Sequence, residues 1–364
     1  MMTRRQFIER MLALGLTSTS IAALLETSAC APQSAAPQSA APRPTAPPAT
    51  TPVPPAALPT EGGKVVLPTV TAGAKAAATF TAAPTAGAAA ATVAPGSTYL
   101  AVARGDDPAQ LVRRAIKALG GMERFVKSGQ SVIVKPNICV AYHPPEYAAT
   151  TNPQVVAELV KLCREAGASS VTVMDHPFGG TAAEAYKISQ IGDAVKAAGG
   201  QMVVMSSIKF KETNLPQGKD IKKWPIFQDA LKADVIIDVP IAKQHGLSRL
   251  TLAAKNLMGL TENRGGLHSN LGQHLVDLYT LFKPKLIVVD AYRMLMNNGP
   301  TGGDLNDVKL AKTLIASHDI VAADAYATTL FGLKPEEIAY VKAGAERGLG
   351  TLDLKSIKIE EISL

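Results

Sequence analysis

The sequence predicts an α/β fold, a mostly parallel sheet with helices on both faces, preceded by a disordered stalk rich in Ala, Pro and Thr. Two observations predict it. From residue 98 to the C-terminus, short apolar runs alternate with amphipathic stretches, the pattern of successive strand–helix units. From residue 31 to 97 the chain is almost entirely Ala, Pro, Thr, Ser, Gly and Val, and its charges are Arg43, Glu61, Lys64 and Lys75. Such a segment cannot bury enough apolar surface to offset its ordering entropy. The expected organisation has three parts: a signal over 1–30, a linker over 31–97 and an α/β domain over 98–364.

The N-terminus carries an address. Arg4 and Arg5, with Thr3 before them and Phe7 and an apolar run from Met11 to Leu25 after, have the layout of a bacterial twin-arginine export signal. That route carries proteins already folded, often with a cofactor installed. The alternative is a chance Arg-Arg before an ordinary secretion signal, although the run is polar in its middle (Thr17 to Ser20). The run is also shorter than the roughly 20 residues that span a bilayer. The signal ends in Thr27-Ser28-Ala29-Cys30, which resembles a lipoprotein cleavage site, with Thr27 where Leu is usual. Lipidation of Cys30 anchors the chain to the outer face of the cytoplasmic membrane, because each buried methylene contributes about 0.8 kcal/mol and several acyl chains act together. Plain cleavage, leaving Cys30 free or removing it, is the alternative. As a random coil the linker spans about 45 Å root-mean-square.

Within 98–364, strands are expected at Tyr99–Ala103, Ser131–Val134, Ser170–Met174, Gln201–Met205, Val235–Ile241, Leu286–Val289, Thr313–Ala316 and Ile357–Ile359. Helices are expected at Pro108–Leu119, Pro153–Ala166, Ala182–Ala198, Phe227–Leu231, Leu250–Met258, Gln273–Phe282, Ile320–Phe331 and Pro335–Gly344. The clearest boundaries belong to the second helix: Asn152 caps it, Pro153 occupies the first helical position and Gly167 stops it.

Composition narrows the function. Three units of the formal net charge of +7 fall before residue 98, so the domain is mildly basic, and aromatics are few. That argues against nucleic-acid binding. Three cysteines, with no CxxC, exclude an intrinsic iron–sulfur cluster held by four Cys ligands. The spacing of Cys139 and Cys163 speaks neither for nor against a disulfide.

Polar residues fall directly after the strands: Lys135 and Asn137, Asp175 and His176, Lys243 and His245, and Asp290. In open α/β sheets ligands bind at the carboxyl ends of strands. Turn formation explains Asp175 and Asp290 singly, and Lys135 or the Lys243/His245 pair less well. If Lys243 and His245 continue an extended segment, they share a face; Lys255 and Asn256 follow about ten residues on, near a helix. Such lysines bind an anion or act in proton transfer, unless they are solvated surface charges. No HExxH or other recognised metal spacing exists, but His176, His245 and His268 with Asp175 are candidates for a divalent metal site; for each His the alternative is a structural hydrogen bond. The loop Asn297–Asp304 contains Gly299, Gly302 and Gly303, whose backbone N–H groups are candidates to meet a ligand; a simple turn is the alternative. It is neither GxGxxG nor a Walker loop, and no GxSxG nucleophile elbow is present.

In order along the chain, Val134-Lys135-Pro136-Asn137, Thr150-Thr151, Asp175, the run from Asp234 to Lys243-Gln244-His245, Lys255-Asn256-Leu257-Met258-Gly259, His268, Lys283-Pro284, Gly299-Pro300, Gly302-Gly303 and Ser317 to Asp324 resemble the family catalogued as domain of unknown function 362. The likeness covers roughly residues 99 to 360. It implies a site built from Lys135, Asn137, Asp175, Lys243, His245, Lys255, Asn256 and His268. Some members carry a ferredoxin-like iron–sulfur module, which implies redox or cofactor-linked work; this chain lacks it, and has Asn152 where the family often has His.

Two functions are compatible with these features. The first is a metal- or cofactor-assisted, redox-linked enzyme acting on a small anionic substrate, with a separate redox partner. In it His245 and His268 bind metal or shuttle protons, Lys243 and Lys255 neutralise the substrate, and Asp175 orients it or acts as base. The second is a non-catalytic extracytoplasmic binding protein for an anionic ligand or metal complex.

Overall fold

The computed structural model describes residues Thr98–Leu364; the expected export signal, Cys30 and the expected 31–97 linker lie outside the described residues. In chain order the principal elements are β1 (Leu100–Arg104), α1 (Pro108–Ala118), β2 (Ser131–Pro136), α2 (Pro153–Glu165), β3 (Ser170–Val173), α3 (Ala182–Ile188), α4 (Ile191–Ala197), β4 (Gln201–Met202), β5 (Phe210–Asn214), β6 (Lys223–Phe227), β7 (Val235–Val239), β8 (Ile241–His245) and β9 (Arg249–Thr251). They continue with α5 (Ala253–Asn256), α6 (Arg264–Leu267), α7 (Leu271–Phe282), β10 (Leu286–Leu295), β11 (Val308–Ser317), α8 (Ile320–Thr329), α9 (Ala339–Glu346) and β12 (Ile359–Ser363).

Ten of these strands form one sheet, with the main order β12–β1–β11–β10–β7–β2–β3–β4; β8 joins it beside β10, and β9 beside β8. The pairs β10–β7, β7–β2, β2–β3, β3–β4 and β10–β8 are parallel, as the alternation of strands and helices predicts. β11 runs antiparallel to both its neighbours, β1 and β10. Alternate strand residues feed two separate cores. Ala101, Val132, Val134, Ile237 and Val288 pack on one face under α1, α2 and α4, while Leu100, Ile133, Ile236 and Ile287 pack on the other under α7, α8 and α9. Each fully buried Val, Leu or Ile contributes roughly 1.5–3 kcal/mol, which is what fixes the strand registers.

Several elements depart from the sequence-based expectation. The stretch Ala182–Ala198 is two helices, because Gln190 is left-handed (φ 60°) and breaks the helix between them. The apolar run from Val235 breaks at Pro240, which has no N–H for the ladder, and a new strand, β8, starts beyond it. The expected helix Leu250–Met258 begins as strand β9 and becomes helical only at Ala253, where the Asp324 carboxylate accepts hydrogen bonds from the N–H groups of Ala253 and Ala254 at 2.8 and 3.0 Å. A separate hairpin, β5–β6, has largely exposed side chains outside its Phe210 and Ile226–Phe227 ends. Cys139 and Cys163 are free and buried, with no disulfide between them.

Candidate active site at the strand ends

Register builds the floor of the site. In β2 and β7 the residues opposite each other are Ile133 and Ile236, then Lys135 and Asp238. Two residues beyond the apolar pair, the same face therefore carries a lysine and an aspartate, both fully buried. Asn256, at the end of α5, closes over them. Its Nδ2 donates to Asp238 Oδ1 at 2.8 Å and to the Lys135 carbonyl at 3.0 Å, and its Oδ1 accepts from Lys135 Nζ at 2.9 Å and Asn137 Nδ2 at 3.0 Å. All four hydrogen-bonding positions of this amide are filled. Burial pushes the Asp238 carboxyl well above the usual carboxylate range, and its Oδ2 has no partner among the described residues.

Asp175, just past β3, pairs with Lys135 at 2.8 Å. Its oxygens also accept the backbone N–H groups of His176 (2.9 Å) and Ile138 (2.5 Å). Gly259 lies against this pair so closely that a Cβ there would collide with Asp175 Oδ1 and Lys135 Nζ.

On β8, Lys243 and His245 point the same way, as alternation predicts. Lys243 Nζ meets Asn137 Oδ1 (3.0 Å), the carbonyls of Ala149 (2.6 Å) and Pro300 (2.9 Å), and Cys139 Sγ (3.1 Å). Lys255 is nine-tenths buried, and its Nζ meets Met258 Sδ at 3.7 Å. Burial, and then the neighbouring Lys243, lower Lys255 from 10.5 to about 8.

The histidines have complementary tautomers. His245 Nδ1 accepts N–H groups from Leu247 (3.0 Å) and Ser248 (3.3 Å), so its neutral ring carries the proton on Nε2. Burial, followed by Lys255 and Lys243, lowers its pKa to about 3. His268 Nδ1 lies 2.8 Å from the Arg264 carbonyl, which can only accept, so Nδ1 holds a proton and Nε2 is the open position. The two rings stack with centroids 6.4 Å apart. Arg264 donates to the carbonyls of His176 and Pro177 and thereby ties α6 to the segment after β3.

These groups surround one cavity of about 370 Å³. Lys135, Asn137, Asp175, His176, Lys243, His245, Lys255, Asn256 and His268 all line it, and so do Cys139 and Arg264, which the sequence reading did not select. Both had a readable signal. Lys135, Asn137 and Cys139 alternate along one extended segment, and Arg264 precedes His268 by one helical turn. Asp290 does not line the cavity. It accepts the N–H groups of Asn152 (2.7 Å) and Tyr292 (3.0 Å), and burial raises it to about 6. The glycine loop acts indirectly. Gly299 donates its N–H to Gln244 Oε1 at 2.8 Å and approaches β8 too closely for a Cβ, which delivers the Pro300 carbonyl to Lys243, while Gly302 and Gly303 lie outside the lining.

The donor set does not suit a metal ion. Among the described residues no group of three or more His, Cys, Asp or Glu side chains is placed to hold one. His176 packs on Phe210 with centroids 5.0 Å apart, its buried Nδ1 unpartnered. His245 Nδ1 accepts backbone N–H groups, so its Nε2 carries the proton, and His268 Nε2 is the one open ring nitrogen of the pair. Lys243, Lys255 and Arg264 oppose a cation there, because like charges in a low-dielectric cavity repel strongly.

Residues 132–329, more than half of the chain, match the family model described as Domain of unknown function (DUF362). Among curated proteins, the thylakoid-associated protein sll1697 of Synechocystis sp. is 29% identical over 248 residues, covering 65% of this chain and 74% of that protein. Among solved structures, the lactate racemase apoprotein from Thermoanaerobacterium thermosaccharolyticum aligns with a TM-score of 0.37 at 14% identity. That alignment covers 62% of this chain, which spans only 56% of that one.

Proposed function

This chain belongs to the DUF362 family, and we propose that the cavity at its strand ends is an active site that binds a small organic anion and moves a proton on it. One observation carries the reading: the cavity lining holds Lys135, Lys243, Lys255 and Arg264 against the single carboxylate Asp175, which Lys135 already neutralises. Buried cations without counter-ions cost several kcal/mol each by burial alone. An anionic ligand offsets that cost, and a carboxylate of substrate size fits a cavity of this volume.

The histidines supply the acid–base pair. With the substrate carboxylate drawn towards Lys243 and Arg264, His268 Nε2 accepts a proton from a carbon next to a carbonyl group: C2, beside the carboxylate, in a 2-hydroxy acid, or C3, beside the ketone, in a 2-oxo acid. His245 Nε2–H hydrogen-bonds to the oxygen on which charge develops. Held neutral, His245 donates that hydrogen bond without adding a further positive charge. Asp175 and Asn256 hold Lys135 in the floor and touch no proton in flight.

The test is solvent-deuterium exchange of 2-hydroxy and 2-oxo carboxylates, followed by NMR, with binding measured by calorimetry. Substitution His268→Gln is expected to slow exchange about a hundredfold to ten-thousandfold while a carboxylate still binds. Carboxylates that bind without any exchange would favour the non-catalytic binding protein; no binding of any carboxylate would remove the anion reading altogether.

The location is part of the same proposal. Arg4, Arg5 and Cys30 support a folded, exported protein tethered by lipid, and the Synechocystis relative is by name thylakoid-associated. Among the described residues no helix is long and apolar enough to cross a membrane. Cys30→Ala is therefore expected to move the protein from the membrane pellet to the soluble fraction on cell fractionation. Retention in the pellet after a carbonate wash would rule out an anchor at Cys30.

A further inference from the structure

Lys255 differs from the other cations of the cavity. Lys135 has Asp175, Lys243 has four polar neighbours, and Arg264 has two carbonyls. Lys255 Nζ is nine-tenths buried, and among the described residues it has no oxygen partner; its one hydrogen-bond partner there is Met258 Sδ. A charged ammonium carries three N–H donors that burial would leave unmet, whereas a neutral amine is cheaper to bury and exposes a lone pair. That lone pair opens on the cavity that also holds Lys243, Arg264 and the two histidines. An amine desolvated beside other cations is the usual way in which a lysine becomes a nucleophile.

We infer that Lys255 forms a Schiff base with the carbonyl carbon of a 2-oxo acid whose carboxylate is drawn by Lys243 and Arg264. The inference rests on the reading of the cavity as a carboxylate site and names its substrate class. The Nζ lone pair forms the C–N bond while the carbonyl π pair moves to oxygen. That oxygen takes both amine protons in turn, with His268 Nε2 as relay and His245 Nε2–H steadying the oxygen, and leaves as water. The product is the imine, and atoms and charge balance without an oxidant or reductant. The low proton affinity of Lys255, set by burial first and by Lys243 second, agrees with this role.

Reductive trapping tests it on the full chain. The protein is incubated with pyruvate and sodium cyanoborohydride, which adds hydride to the imine, and digested for peptide mass spectrometry. Calorimetry with pyruvate and with lactate runs in parallel. The expected result is near-stoichiometric modification of Lys255, suppressed by excess lactate and absent from Lys255→Arg, whose circular dichroism should match wild type. If pyruvate binds but Lys255 is labelled no more than the exposed lysines, the inference is overturned and the carboxylate site stands. If neither acid binds, both fall together.

Discussion

Lys135→Met is expected to destabilise the domain by about 3–5 kcal/mol, the cost of leaving one member of a buried ion pair alone. Lys135 and Asp175 are 0% and 2% exposed, so water cannot rescue the carboxylate once the ammonium is gone. The same change takes a donor from Asn256 Oδ1 at the junction of β2, β7 and α5. Asp238 lies beside Lys135 in register, and the lysine charge is the largest influence opposing its burial, so its carboxyl would rise still further. Urea unfolding of wild type and variant measures the loss as a lower midpoint at unchanged slope. The double variant Lys135→Met/Asp175→Leu discriminates the cause. If the ion pair is the unit, removing both charges recovers much of the loss; if the two single losses simply add, the pair is not what holds the floor. Gly259→Ala should fail in the same assay for a steric reason, since its Cβ would displace both partners.

Lys255→Met should do the opposite: stabilise the unliganded domain and abolish trapping by a 2-oxo acid. The sign follows from linkage. An unfolded lysine releases its proton near 10.5 and the folded one near 8, so the folded state disfavours the charged form. Below pH 8 both states are protonated and the full cost is present, about 3 kcal/mol for a shift of this size. Between 8 and 10.5 the unfolded chain binds more protons, so stability rises with pH; above 10.5 the cost is gone. The difference in unfolding free energy between wild type and Lys255→Met, followed from pH 7 to 10.5, should therefore shrink as pH rises. A flat difference would mean that Lys255 is solvated and paired by water. His245 acts at the acid end with the same sign: its folded pKa lies near 3 against 6.5 unfolded, so here too stability rises with pH and is lost as pH falls through that window. A group buried for function at the expense of stability is a common trade at active sites.

Much of the site was legible because it follows strand geometry. Lys135, Asp175, Lys243 and His245 stand at the ends of apolar runs, and a period of two puts Lys243 and His245 on one face whatever the surrounding packing. Lys255 and Asn256 were legible as a pair, but the exact start of their helix was not. It depends on Asp324, which lies 71 residues from Ala253 in sequence. Asp290 and the glycines of the 297–304 loop show the limit of the strand-end rule. An aspartate after a strand can serve a neighbouring backbone instead of a ligand, as Asp290 does for Asn152, and only the fold decides which. The β5–β6 hairpin escaped notice because its exposed, Lys- and Glu-bearing strands lack a buried face to give them a period.

The bonds that hold the cavity together join distant parts of the chain: Lys135 to Asn256 across 121 residues, Asn137 to Lys243 across 106, and Lys243 to Pro300 across 57. Closing loops of that length carries an entropic cost before any contact rewards it, so chains dominated by such pairings reach the native state slowly. The cavity is thus a property of the long-range fold and not of any local segment. No fragment ending before residue 300 contains all the partners of Lys243, so the cavity is complete only once β10 and the loop beyond it have been made.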